Sequence, residues 1–150
     1  TDEMFATLDL ALMDLNNASV RFLKIGSAPS FIKRGDKVTK VQAGNLPIGI
    51  ITEFDVDIVS KQLRSGDLLI MVSDGILEAS SYIQNIDRWV KRKINEIETE
   101  DPQEVADVLL EEVIRSSNGE INDDMTILVS KIEKNLPEWA SIPVYQSEAK

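Results

Sequence analysis

The chain has 150 residues, enough for one domain with a real core, and carries a formal net charge of −10. It contains no cysteine and no histidine, which excludes disulfides, thiolate zinc sites, cysteine nucleophiles and the Ser-His-Asp triad. Catalysis is left to carboxylates, hydroxyls, lysine, arginine or a bound metal, and the acidic balance disfavours nucleic-acid binding.

Thr1-Asp2-Glu3 is acidic where a secretory leader is basic, and no stretch approaches the roughly 20 apolar residues of a membrane span. The chain opens without an initiator methionine, almost directly into periodic sequence. The expectation is a piece of a longer protein: a cytoplasmic domain without membrane contact, whose parent is free to be anchored elsewhere. Thr7–Leu15 reads as a strand, Asn16-Asn17 as a hairpin turn, and Ala18–Ile25 as the returning strand. Gly26-Ser27-Ala28-Pro29 breaks it. Ser30–Arg34 and Lys37–Val41 flank a Gly35-Asp36 turn, so an antiparallel meander is predicted. Asn45–Ile50 is a loop stiffened by Pro47, and Phe54–Ser60 alternates as a strand. Arg64–Asp67 turns the chain into a strand that runs through Val72 to Asp74.

Two helices are predicted next. Ile86, Trp89, Val90, Ile94 and Ile97 share one face at helical spacing, with basic residues opposite. Asp101-Pro102-Gln103-Glu104 starts the second, with Asp101 as N-cap, Pro102 in the first turn and Glu104 placed for a capping box. Ala106, Leu109, Leu110, Val113 and Ile114 form its apolar stripe, and Asn118-Gly119 stops it. Thr126–Ile132 is a last strand. From Leu136, with Pro137, Trp139, Pro143 and Tyr145, the chain reads as an extended tail packing through its aromatics. The order predicts an α+β domain over residues 1–135, with helices covering antiparallel sheet, and a tail over 136–150.

Two acidic clusters border the strands. Val72-Ser73-Asp74-Gly75 ends one, and Asn122-Asp123-Asp124-Met125-Thr126 precedes another. Taken singly, each is ordinary turn chemistry. Brought together by folding, carboxylates held at strand ends form part of a hard-cation site for magnesium or manganese. Gly75 would let the backbone turn sharply so that Asp74 faces a cleft, and Thr126 would orient the acidic loop by hydrogen bonding. The Asp-x-Asp-x-Asp-Gly spacing of a calcium loop is absent.

Gly66–Ala79 resembles the strand–Asp-Gly–helix motif of the metal-dependent protein phosphatases of the 2C type, the PPM family. Asn122–Val129 is similar to that family's last acidic motif, and Gly26–Pro29 and Pro47–Ile50 match landmarks of its bacterial branch. The four motifs stand in family order from about Leu8 to Ile132. Within that branch the likeness is greatest to a sporulation phosphatase domain, with environmental-stress phosphatases as near relatives. The resemblance implies a β-sandwich of antiparallel sheets flanked by helices. It implies two Mn2+ or Mg2+ ions holding a bridging water that attacks phosphoserine or phosphothreonine. Asp74 and Asp123 would be metal ligands, Asp124 would orient the loop, Gly75 would make the turn, and Ser73 and Thr126 would support the ligands from behind. In the sporulation branch the substrate is a phosphorylated anti-sigma factor antagonist.

One departure qualifies this. The family pattern begins with an Asp and an Asp-Gly pair that supplies the bridging carboxylate, and nothing in Thr1–Asn17 matches it. Asp2, Asp9 and Asp14 all lack a following glycine. The expectation is therefore the back two-thirds of a phosphatase domain, truncated at its N-terminus, with weak metal binding and little or no activity alone. An exposed sheet edge would favour a homodimer or exchange of elements. The rival reading is a non-catalytic phosphatase-like module that binds a partner protein.

The remaining candidates have plain explanations. Trp89 reads as core or edge packing. Lys91-Arg92-Lys93 reads as a solvated helix face, with a docking patch for an acidic protein as the minority reading. Lys33 and Arg34 read as exposed strand residues rather than phosphate contacts. Gly44–Gly49 lacks the Gly-Lys-Ser/Thr ending of a phosphate loop and opens no helix, so nucleotide binding is rejected.

Overall fold

The structure is a computed structural model that describes residues 5–44, 46–50, 56–79, 83–118, 121 and 123–134. The predicted tail, the start of the Phe54–Ser60 strand and Asn122 lie outside the described residues. In chain order the elements are β1 (Leu8–Asp14), β2 (Ser19–Ile25), β3 (Ser30–Arg34), β4 (Lys37–Val41), β5 (Ile58–Gln62), β6 (Leu68–Val72), α1 (Asp74–Glu78), α2 (Ile86–Glu96), α3 (Pro102–Ser116) and β7 (Ile127–Lys131). This is the expected α+β class. Antiparallel strands form two sheets, ordered β1-β2-β5 and β4-β3-β6-β7. The short α1 is a third helix beyond the two expected from periodicity; five residues are too few to show a helical stripe.

The meander expectation is corrected. β1–β2 and β3–β4 are each antiparallel hairpins, but they lie in different sheets. Alternation fixes which residues of a strand share a face, not which sheet the strand joins. β3 is a central strand with both faces buried. Phe31 packs toward the helices and Ile32 toward the other sheet, and along its edges β3 pairs with β4 and β6. The chain changes sheets at Gly26, whose φ of +59° suits glycine. A Cβ there would overlap Pro47, so the segments Gly26–Pro29 and Pro47–Ile50 meet. The fifth strand is Ile58–Gln62, shifted from the expected span because pairing with Ser19–Leu23 of β2 sets its register.

The layers follow from the buried faces. Val20 and Phe22 of β2 meet Ile32, Val41 and Leu69 across the sandwich. Phe31, Leu68, Ile70 and Val72 meet Val90, Ile94, Val105, Leu109 and Val113 from α2 and α3. Trp89 packs half-buried against this second core, as expected. Both basic residues at the end of β3 have structural duties. Lys33 donates to the carbonyls of Ile94 (3.0 Å) and Ile97, closing the C-terminus of α2. Arg34 pairs in a fork with buried Asp67 at 2.7 and 2.6 Å. Asp101 caps α3, accepting from the amides of Gln103 and Glu104 at 2.9 and 3.0 Å. The reciprocal half of the box runs through Thr99, whose hydroxyl accepts from the Asp101 amide and donates to Glu104.

The three-stranded sheet has an unusual polarity. Along β1, Asp9, Ala11 and Met13 turn inward, while Leu8, Leu10 and Leu12 are exposed on the outer face with Ile58. Asp9 stands opposite Lys24 in the ladder, and the two side chains pair at 2.7 Å with Lys24 1% exposed. Lys24 also donates to the Ala28 carbonyl at 2.7 Å.

Candidate metal centre

β6 positions the first acidic segment. Leu68, Ile70 and Val72 face the helices, Leu69 and Met71 face the other sheet, and the strand is held from both sides. Ser73 follows as the N-cap residue of α1, and Asp74 is the exposed first residue of that helix. β7 pairs with β6 so that Val72 lies opposite Ile127. The residues just before β7 therefore stand beside those just after β6.

A clasp locks them there. The Ser73 amide donates to the Thr126 carbonyl at 3.0 Å. The Thr126 amide donates to the Ser73 hydroxyl at 2.9 Å, and that hydroxyl donates to the Asp124 carbonyl at 3.1 Å. Gly75 completes the fit. A Cβ on it would overlap the Asp124 carbonyl oxygen and stand 3.0 Å from the carbonyl carbon. The Asp123 carbonyl carbon would lie 3.5 Å from the same point. Met125 is half-buried against the helix-side core and anchors the loop from its other side.

Asp74, Asp123 and Asp124 are all exposed. Asp74 accepts from the Gly75 amide at 3.2 Å, and Asp123 from the Asp124 amide at 2.8 Å. No ion pair among the described residues involves any of the three. Exposed carboxylates on a backbone held rigid suit a hard cation. They do not make a full cage: among the described residues no group of three or more acidic side chains is placed to hold a metal.

The structure thus brings together the segments carrying Ser73, Asp74, Gly75, Asp123, Asp124 and Thr126. It changes the part played by two of them. Gly75 stands in the first turn of α1, where the lack of a side chain admits close approach of the Asp124 carbonyl. Thr126 contributes its backbone to the clasp, and the hydroxyl in it belongs to Ser73. Met125 was missed; its signal is an apolar residue between an acidic pair and a strand.

Residues 1–133 match the family model for stage II sporulation protein E. The chain is 62% identical over 144 residues to the stage II sporulation protein E of Bacillus subtilis (strain 168), across 96% of this chain and 17% of that protein. The solved phosphatase domain of the cell fate determinant SpoIIE from Bacillus subtilis, presoaked with manganese, aligns with a TM-score of 0.78 at 58% identity. That alignment covers 89% of this chain and 59% of the solved one. The same domain in a crystal form without domain swapping aligns with a TM-score of 0.78 at 63% identity, over 92% of this chain and 60% of the solved one. The chain spans under two-thirds of each of these relatives. With matched sequence from residue 1 to residue 133 and a shared two-sheet fold, it belongs to the stage II sporulation protein E family.

Proposed function

We propose that this chain is part of a metal-dependent protein serine phosphatase. The observation that carries the reading is the clasp of Ser73 and Gly75 on Asp124 and Thr126, which fixes two acidic segments side by side at one end of β6 and β7. In this reading Asp74 and Asp123 hold Mn2+ or Mg2+. Asp124 lends its carbonyl to the clasp, and Ser73, Gly75 and Thr126 keep the two ligands in register. Such ions, when bound, supply an activated water and stabilise charge on phosphoryl oxygens, which removes any need for histidine or cysteine. The protein contributes position: a buried strand behind Asp74 and a pinned loop behind Asp123.

The substrate class is a phosphoserine protein, by likeness to the relatives a phosphorylated anti-sigma factor antagonist. With only two of the carboxylates, the chain alone holds metal weakly and turns over little. A second reading, a phosphatase-like module that binds a partner without turnover, is favoured by the absence, among the described residues, of any three acidic side chains placed to hold a metal together. One comparison separates them. Release of phosphate from a phosphoserine protein with manganese is measured for this chain and for a chain extended upstream through the rest of the domain. The phosphatase reading expects turnover only in the extended chain, abolished by Asp74→Asn or Asp123→Asn. Turnover absent from the extended chain favours the binding module. Equal turnover in both refutes the weak activity assigned to this chain.

A further inference from the structure

A second feature lies away from the acidic clusters, in the groove between β4 and α2. Two adjoining open cavities of about 410 and 530 Å³ share Arg88 and Lys91 in their linings. Lys37 and Lys40 line the groove from β4, and Arg88, Lys91 and Arg92 line it from α2. Among the described residues, Asp36 and Asp87 are the acidic residues of the lining; Asp87 is taken up by Lys40 at 2.8 Å, and Arg92 pairs with Glu96 at 3.6 Å. Among the described residues, five cations against two anions is a concentration of positive charge in a chain whose net charge is −10.

The local sequence explains the arrangement. Val90 and Ile94 bury the apolar stripe of α2, which leaves Arg88, Lys91 and Arg92 on the rim. Lys37, Arg88 and Lys91 are exposed, and none of them is in an ion pair among the described residues. Lysines on an edge strand such as β4 deter unwanted strand pairing. That accounts for Lys37 and Lys40 but not for three more cations on the facing helix. Ile83 and Ile86, both half-buried, give the wider part of the groove an apolar lining.

We propose that the β4–α2 groove docks an acidic segment of a partner protein. Its carboxylates would meet Lys37, Arg88 and Lys91, and an apolar side chain would sit on Ile83 and Ile86. The acidic remainder of the molecule repels both an anionic membrane and a nucleic-acid backbone. The groove also has a direction. Lys40, Phe31 and Ile70 occupy one row across the sheet, so its Lys40 end opens toward the edge where Asp74 stands. Docking here is independent of the phosphatase reading.

The test is an isotope-labelled NMR titration of the chain with a short synthetic peptide rich in glutamate and leucine. A lysine-for-glutamate version of the peptide and phosphatidylserine vesicles serve as the other arms. Shifts should concentrate on β4 and α2, weaken with salt, and be absent with the basic peptide. The triple variant Lys37→Glu/Arg88→Glu/Lys91→Glu should weaken binding by about tenfold or more. Lys37→Gln/Arg88→Gln/Lys91→Gln, which adds no repulsion, should weaken it less and guards against a folding defect. No binding of the acidic peptide, shifts confined to other elements, or equal binding by the variants would overturn the proposal. Vesicle binding without peptide binding would overturn it in favour of a membrane contact.

Discussion

At the scale of single residues, Gly75 and Asp67 make separable predictions. In Gly75→Ala the new methyl must displace the Asp124 carbonyl, because the overlap is with backbone and not with a flexible side chain. Overpacking of this kind costs about 1–3 kcal/mol, read as a lower denaturation midpoint. It should also free the Asp123 loop, seen as faster amide exchange at Thr126. Unchanged exchange would show that the glycine is not what holds the loop. Asp67 governs acid stability. Burial opposes ionisation of its carboxyl, but the fork from Arg34 and the Arg64 amide outweigh it and hold the pKa below the ordinary value of 3.8. A depressed pKa gives stability that is complete above the ordinary value and lost as pH falls through the folded one. The melting temperature should therefore drop as pH falls below about 4, and Asp67→Asn should flatten that acid limb while lowering stability at pH 7. An unchanged limb would place the acid sensitivity elsewhere. Sequence made Asp74 and Asp123 visible as candidates because Asp-Gly and Asp-Asp at strand borders are uncommon together. It did not make visible why the glycine is there, since space denied by a carbonyl 49 residues away leaves no local trace.

At the scale of elements, strand periodicity was legible and sheet membership was not. β2 and β3 both carry inward apolar residues, and only the ladders show that β2 lies between β1 and β5 while β3 lies between β4 and β6 in a second sheet. The start of α3 was legible because capping is a local contract between neighbouring residues, although the Thr99 relay was not. β1 is the instructive strand. Its leucines invite an inward reading, yet Asp9, Ala11 and Met13 face the core. The ladder places Asp9 opposite Lys24, and the pair selects the register that leaves the leucines outside. Burial pushes the Lys24 pKa down, and Asp9 pulls it back up. Lys24→Met would leave the Asp9 carboxylate only the Ser30 hydroxyl at 3.3 Å, its second oxygen being buried with no partner among the described residues, and should destabilise the fold by about 3 kcal/mol. Adding Asp9→Leu should recover most of that loss. A double variant no more stable than the single one would show that packing, not charge, holds the hairpin.

At the scale of the whole molecule, the exposed outer face of the β1-β2-β5 sheet sets the solution behaviour. Leu8, Leu10 and Leu12 are 42%, 49% and 54% exposed, and Ile58 is 57% exposed. A contiguous apolar surface of this kind drives association. The chain should self-associate in light scattering at high concentration, by pairing of these faces or exchange of strands, and Leu10→Lys/Leu12→Lys should shift it toward monomer. A monomer at every concentration would show that the face tolerates water. No helix among the described residues is long and apolar enough to cross a membrane. The clasp has a consequence in time as well as in space. Ser73 and Asp124 are 51 residues apart, with α2 and α3 between them. As the chain leaves the ribosome, Asp74 emerges well before its partner loop, and nothing pins that loop until β7 pairs with β6. Assembly of the two acidic segments therefore waits on β7, and a polypeptide released before β7 can carry the first segment without ever completing the pair.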